Sequence, residues 1–270
     1  MFTKPSRKTF GKIGVLWYTV RKSFTPYVST MKKHFSEQAL PLIAVIGGAI
    51  GFLLRLALYT LEESTGLLPK GHILHIASIV LSIAIATLIL ISLRRTSTPI
   101  VHKPQVAASG AFFAGLWMFP VAFGILEQAD SPMDLFWALL SFASIPCLML
   151  TAWRHFKGRT PHFFTNVILC LFFVAHMIYQ YPLWCGNPQL ADYLLPLLAC
   201  VFLSLAAYQR TALDQQAGSY RKLLFCDLMA GFFCICSMAG DGERRFYLAG
   251  ALWALTNLYA IHQEEPHVSA

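Results

Sequence analysis

The sequence has few charged residues for its length. Asp, Glu, Lys and Arg make up 13% of the 270 residues, about half of the roughly 25% that is usual in soluble domains. A soluble domain of this size could not cover its surface with so few charges, because the exposed surface of soluble proteins carries most of them. Hydrophobic residues make up 56% of the chain, so the composition favours a polytopic membrane protein over a soluble one.

The motifs of several large enzyme and channel classes are also missing. The sequence contains no Walker A loop, no GxSxG, no HExxH, no dinucleotide fingerprint and no voltage-sensor charge series. The seven cysteines are odd in number and show no paired spacing, which argues against a disulfide framework. The sequence therefore assigns no catalytic residue, metal or cofactor.

Eight apolar segments approach the length of about 20 residues that a membrane helix needs. They are Ala39–Leu61, His72–Leu93, Ala107–Ile125, Met133–Trp153, Phe163–Trp184, Ala191–Tyr208, Leu223–Ser237 and Phe246–Ile261. The last two are the shortest, and a seven-span alternative would omit one of them. The segments predict an all-α membrane protein, a bundle of about eight transmembrane helices within one domain, residues 39–262.

The basic residues fall mainly on one side of these spans. Eight Lys and Arg residues lie in 1–38 and three in each of 94–106, 154–162 and 209–222, which is 17 of the 21. By the positive-inside rule this distribution predicts cytoplasmic N- and C-termini, with 263–270 as a short cytoplasmic tail. Orientation in the membrane thus explains the net charge of +8. Because the basic residues need no other explanation, we expect no nucleic-acid partner. Short loops and the strong basic bias of the N-terminal segment favour a bacterial plasma membrane.

The first 38 residues have the periodicity of a basic amphipathic helix. Apolar side chains recur in steps of three and four, at Phe10, Ile13, Trp17, Val20, Phe24, Tyr27, Met31 and Phe35. Such a helix lies in the membrane interface and contacts anionic lipid headgroups. The alternative is a basic arm that only fixes topology. Lipid is the one partner that the sequence predicts, and protein partners are left open.

Arg55 is the most unusual residue within a predicted span, because a charge in lipid is costly. It shares a helix face with Gly47, Gly51 and Tyr59, and the GxxxG spacing lets another helix approach closely. We therefore expect Arg55 to point into the bundle, with Asp192 among its candidate partners. It is a clamp for an anion or carboxylate in an outward-facing cavity, one half of a structural buried ion pair, or an arginine whose side chain snorkels outward.

Other polar residues form two predicted layers. His72, His75, His176 and Gln180 lie in the outer halves of their spans, where they are candidate ligand-binding residues or ordinary interface residues. Nearer the cytoplasm are Asn166, Asp227 and Asn257. Because the last two spans run antiparallel, Asp227 and Asn257 should lie at similar depth and form a hydrogen bond. This layer is either proton-coupling or structural.

Three functional hypotheses follow. The first is a small permease or transport-associated subunit with a polar cavity around Arg55. The second is a non-catalytic sensor, assembly factor or scaffold, which predicts that the intramembrane polar residues pair with one another and leave no cavity. The third is an intramembrane enzyme acting on lipid or peptide, which requires the histidines to meet carboxylates.

Overall fold

The computed structural model describes residues 40–62, 72–95, 103–185, 193–240 and 243–260. Every regular element within these ranges is helical. The predicted amphipathic arm, the C-terminal tail and Asp192 lie outside the described residues.

The described residues form eight α-helices. They are α1 (Leu40–Glu62), α2 (Ile73–Arg95), α3 (Pro104–Glu127), α4 (Pro132–Phe156), α5 (Phe163–Cys185), α6 (Leu194–Asp214), α7 (Tyr220–Ser237) and α8 (Arg244–Asn257). A short 3-10 turn, Leu258–Ala260, continues α8. Each predicted span coincides with one helix. The boundary of α6 is the main correction, because this helix continues well past Tyr208 and includes Arg210, which the sequence placed in a loop.

Helices α1 to α6 are long and apolar enough to cross a membrane, so the chain has the features of a multi-pass membrane protein. Helix α7 carries three charged residues, Arg221, Lys222 and Asp227, and α8 has only 14 residues. The prediction of eight spans is therefore supported for six helices, and for α7 and α8 it stays a prediction.

Helices α7 and α8 lie in the interior of the described bundle. The large hydrophobic side chains that are exposed in the described residues all belong to α1–α6, whereas most of α7 and α8 is buried. Helix α7 packs against α2, α6 and α8, and α8 packs against α3, α6 and α7. Because they face protein rather than lipid, these two helices can carry small and polar residues, and this accounts for their weaker hydropathy.

The glycines of α1 bring it into close contact with α2 and α7. A Cβ at Gly47 would lie 2.6 Å from Cδ1 of Ile85, and one at Gly51 would overlap Sγ of Cys236. The thiol of Cys236 donates a hydrogen bond to the carbonyl oxygen of Gly48, with a separation of 3.7 Å. The predicted close approach of a second helix to this face is therefore confirmed.

Candidate functional site

A cavity opens at the outer end of the bundle, by which we mean the end where α3 finishes and α4 begins. Its volume is about 630 Å³. Helices α3, α4 and α5 and the start of α8 all contribute to its wall, through Pro120, Val121, Gly124, Ile125, Gln128, Trp137, Tyr179, Gln180, Glu243, Arg244, Arg245 and Phe246. The charge distribution predicts that this end faces the outside of the cell.

The carboxylate of Glu243 is held by two side chains of α5. One carboxylate oxygen lies 3.1 Å from Nε2 of His176, and the other accepts a hydrogen bond from Nε2 of Gln180. His176 and Gln180 are one helical turn apart, so both reach the same group. The ring of His176 is fully buried and stacks on Phe246, with 3.9 Å between centroids. Glu243 is thereby fixed at the cavity wall with 24% of its side chain exposed.

Aromatic rings and unsatisfied polar atoms adjoin this carboxylate. Trp137 stacks on Tyr179 with a centroid separation of 3.9 Å, and its ring lies 5.3 Å from that of His176. Nε1 of Trp137 and Nδ1 of His176 are buried and have no hydrogen-bond partner among the described residues. Buried polar atoms nearly always have a partner, which is often water or a ligand at a functional site.

Arg55 lines a different and much smaller pocket. It is 6% exposed, so the prediction that it points into the bundle is confirmed. Its Nη2 and Nε donate to the hydroxyl oxygen of Tyr59, at 2.8 and 3.2 Å, and its guanidinium lies 5.4 Å from the centre of that ring. The pocket that it shares with His75 has a volume of about 40 Å³. Gln180 and Glu243 thus line the outer cavity, and the fully buried His176 contacts Glu243 from behind the wall, whereas Arg55 does not line it.

His72 directly precedes α2, and His75 lies in the first turn of that helix. Nδ1 of His72 accepts a 3.4 Å hydrogen bond from the backbone N–H of Leu74, and His75 is half-buried beside Arg55. No group of three or more His, Cys, Asp or Glu side chains within the described ranges has the arrangement of a metal site.

The inner polar layer consists of paired side chains. Nδ2 of Asn257 donates to both carboxyl oxygens of the buried Asp227, at 3.1 and 3.3 Å, so the hydrogen bond predicted between these residues is present. Asn166 donates to Asp214 at 3.0 Å, and Nε of Arg210 lies 3.6 Å from the same carboxylate. The sequence reasoning missed the last pair, although the i, i+4 spacing of Arg210 and Asp214 is itself a signal for it.

The sequence analysis also missed four residues that line the outer cavity, which are Trp137, Glu243, Arg244 and Arg245. Glu243 lies outside the predicted spans, and the signal that would have found it is the i, i+4 spacing of His176 and Gln180, which puts both on one helix face. A buried and a half-buried hydrogen-bonding side chain on one face require an acceptor at their depth, and the start of α8 supplies it. No family model matches the chain, nor does any curated protein or solved structure.

Proposed function

We propose that the chain is a small permease or a transport-associated membrane subunit, and that its ligand site is the outer cavity around Glu243. The observation that carries this proposal is the convergence of polar side chains from α4, α5 and α8 on one cavity of about 630 Å³. Ligand sites in proteins have volumes of about 300–1,000 Å³ and combine apolar walls with a few fixed polar groups. Trp137, Tyr179, Gln180 and Glu243 supply that combination here.

The charge of the cavity favours an anionic ligand. Among the described residues that line it, Arg244 and Arg245 supply two exposed guanidinium groups and Glu243 supplies one carboxylate, which already has His176 and Gln180 as partners. Guanidinium groups bind planar acids through parallel hydrogen bonds. The anion clamp that the sequence suggested at Arg55 is thus better supplied by the arginines at the start of α8.

We also propose that α7 and α8 cross the membrane. At about 1.5 Å per residue, the 18 residues of α7 extend about 27 Å, which is close to the hydrocarbon thickness of about 30 Å. Helix α8 and its 3-10 turn have a similar length. Eight spans place both termini on the cytoplasmic side of a plasma membrane, where the N-terminal arm meets anionic headgroups. The bias of basic residues supports this orientation.

Uptake of a membrane-impermeant dianion by proteoliposomes tests the proposed function. We expect the wild-type chain to admit radiolabelled phthalate faster than protein-free liposomes. Gly124→Trp should block uptake, because a Cβ at Gly124 meets nothing within 4 Å and the larger side chain would fill the cavity. Arg245→Gln should slow uptake about tenfold or more, since a hydrogen bond to a charged group contributes about 1.5–3 kcal/mol.

The matched control is Arg159→Gln, which removes an exposed arginine at the opposite end of the bundle and should leave uptake unchanged. Equal uptake by wild-type proteoliposomes and protein-free liposomes would contradict the permease form of the proposal. Unchanged uptake in Gly124→Trp would show that phthalate does not pass through this cavity.

A non-catalytic sensor or scaffold is the second candidate. The pairing of Asp227 with Asn257 and of Asn166 with Asp214 favours it, because these groups use their hydrogen bonds on one another. A scaffold predicts no phthalate uptake by the wild-type chain and no effect of Gly124→Trp on assembly with a partner. The contact of 3.1 Å between His176 and Glu243 is the kind of histidine–carboxylate contact that an intramembrane enzyme requires. The described residues contain no group of three or more His, Cys, Asp or Glu side chains that could hold a metal ion, and the enzyme hypothesis stays a prediction.

A further inference from the structure

An apolar groove lies on the other side of the two arginines that line the outer cavity. Its volume is about 360 Å³, and its walls come from Phe52 and Leu56 of α1, Trp117 of α3 and Leu248 of α8. Arg244 and Arg245 line both the groove and the cavity. The groove therefore places an apolar channel directly beside two positive charges.

The groove faces the lipid-exposed surface of the bundle. Leu56 is 38% exposed and Trp117 is 40% exposed, and both belong to helices that are long and apolar enough to span a membrane. A chain lying between α1 and α3 would contact side chains that are otherwise covered by bulk lipid. An acyl chain is the apolar group that reaches such a surface from within the bilayer.

The arginines define the chemistry of the group at the end of that chain. Both are exposed, and both lie at the first turn of α8, next to the groove. A guanidinium fork matches the geometry of a phosphate and binds it by charge-assisted hydrogen bonds.

We propose that this groove binds one anionic phospholipid, with an acyl chain between α1 and α3 and its phosphate at Arg244 and Arg245. The charge complementarity of the arginine pair selects the headgroup, and the lipid-facing apolar walls select the chain. The proposal goes beyond the proposed function, because the acyl chain occupies the groove and not the cavity, while the headgroup and the transported ligand share Arg244 and Arg245. The shared arginines place the lipid headgroup beside that ligand.

Native mass spectrometry tests the lipid site. The purified full-length chain is taken from vesicles of equal parts phosphatidylglycerol and phosphatidylcholine, and retained lipid is counted. We expect one tightly retained phosphatidylglycerol per chain. Arg245→Gln should reduce this population about tenfold, by the loss of a charged hydrogen bond, and Arg159→Gln should not.

A second pair of variants tests the groove itself. Leu56→Trp adds bulk at the groove wall and should reduce retention of phosphatidylglycerol without reducing phthalate uptake, whereas Gly124→Trp should have the opposite pattern. Leu53→Trp is the matched control, because Leu53 is 62% exposed on the same helix and does not line the groove. Each variant is first checked for the wild-type elution volume on size exclusion.

Three results would overturn the lipid proposal. The first is equal retention of phosphatidylcholine and phosphatidylglycerol. The second is retention that neither Arg245→Gln nor Leu56→Trp changes. The third is that soluble glycerol phosphate, added as a separate arm, competes for the site as well as the intact lipid does, which would show that the acyl chain contributes nothing. Because phthalate uptake is measured on the same variants, failure of the lipid site is distinguishable from failure of the cavity.

Discussion

The buried pair between α7 and α8 offers a quantitative test of how the central helices are held together. Asp227 has no exposed surface, and Asn257 is 6% exposed. The amide donates to both carboxyl oxygens, at 3.1 and 3.3 Å. The perturbation is a double-mutant cycle of Asp227→Ala, Asn257→Ala and the double variant, which isolates the interaction between the two side chains.

The environment of the pair decides the expected magnitude. Interhelical hydrogen bonds in membrane proteins average about 0.6 kcal/mol, because the unfolded chain in the membrane also finds partners. Leaving a buried polar group unsatisfied costs about 1–3 kcal/mol, and more for a charged group. Asp227 lies on an interior helix and not beside lipid, so the cost of an unsatisfied buried group, about 1–3 kcal/mol, applies to it. We therefore expect a coupling free energy of about 1–3 kcal/mol, with the double variant more stable than the sum of the single effects predicts.

The assay is an SDS titration of the protein in mixed micelles, followed by tryptophan fluorescence, which gives the free energy of unfolding for each variant. A coupling below about 0.5 kcal/mol, the range in which independent sites add, would refute the structural role of the pair. Preserved stability combined with an altered pH dependence of phthalate uptake in Asp227→Ala would instead assign Asp227 to proton coupling.

Two further predictions concern helix packing and capping. Gly51→Leu should weaken the contact of α1 with α7, because a side chain there overlaps the sulfur of Cys236, and overpacking costs about 1–3 kcal/mol; Gly124→Ala, at an open position, is the control, and equal SDS midpoints for the two would refute the packing argument. Ser131→Ala should lower the free energy of unfolding by about 0.5–2 kcal/mol, because Ser131 and Asp134 form a reciprocal cap at the start of α4; thermal unfolding checks this, and an unchanged midpoint would show that the cap does not contribute.

Helices α1 to α6, at the periphery of the bundle, were predictable because contact with lipid constrains their composition. An exposed helix such as α2 must be apolar along most of its length, and its sequence from Ile73 onward shows this directly. Helices α7 and α8 were harder to delimit, since burial within protein permits charges such as Asp227. The close packing of the glycine face of α1 was predictable, because small residues at four-residue spacing let a second membrane helix approach closely.

The site was predictable only in part. His176 and Gln180 were predicted as candidate ligand-binding residues, and their i, i+4 spacing on one helix is a local pattern. Their partner Glu243 is 67 residues from His176 in sequence, and a tertiary contact of that separation leaves no periodic trace. Arg55 attracted attention as a lone charge in a span, yet its helix places Tyr59 one turn away to receive its hydrogen bonds. A lone charge within a predicted span thus identified a residue that pairs with its own helix, and it did not identify the cavity.

The accessibility of Gly124 from outside the cell directly tests whether the cavity opens to that side and binds an anion. A single cysteine is introduced at Gly124, which lines the cavity and has open space around its Cβ, and a membrane-impermeant thiol reagent is added to right-side-out vesicles. Gly115→Cys on the same helix is the control, because its Cβ would meet Met149 at 3.1 Å within the bundle. An outward-open anion site predicts rapid modification of Gly124→Cys from outside, and phthalate should slow that modification. Gly115→Cys should show no modification above the wild-type background. Modification of Gly124→Cys only after the reagent reaches the vesicle interior would contradict an outward-open site.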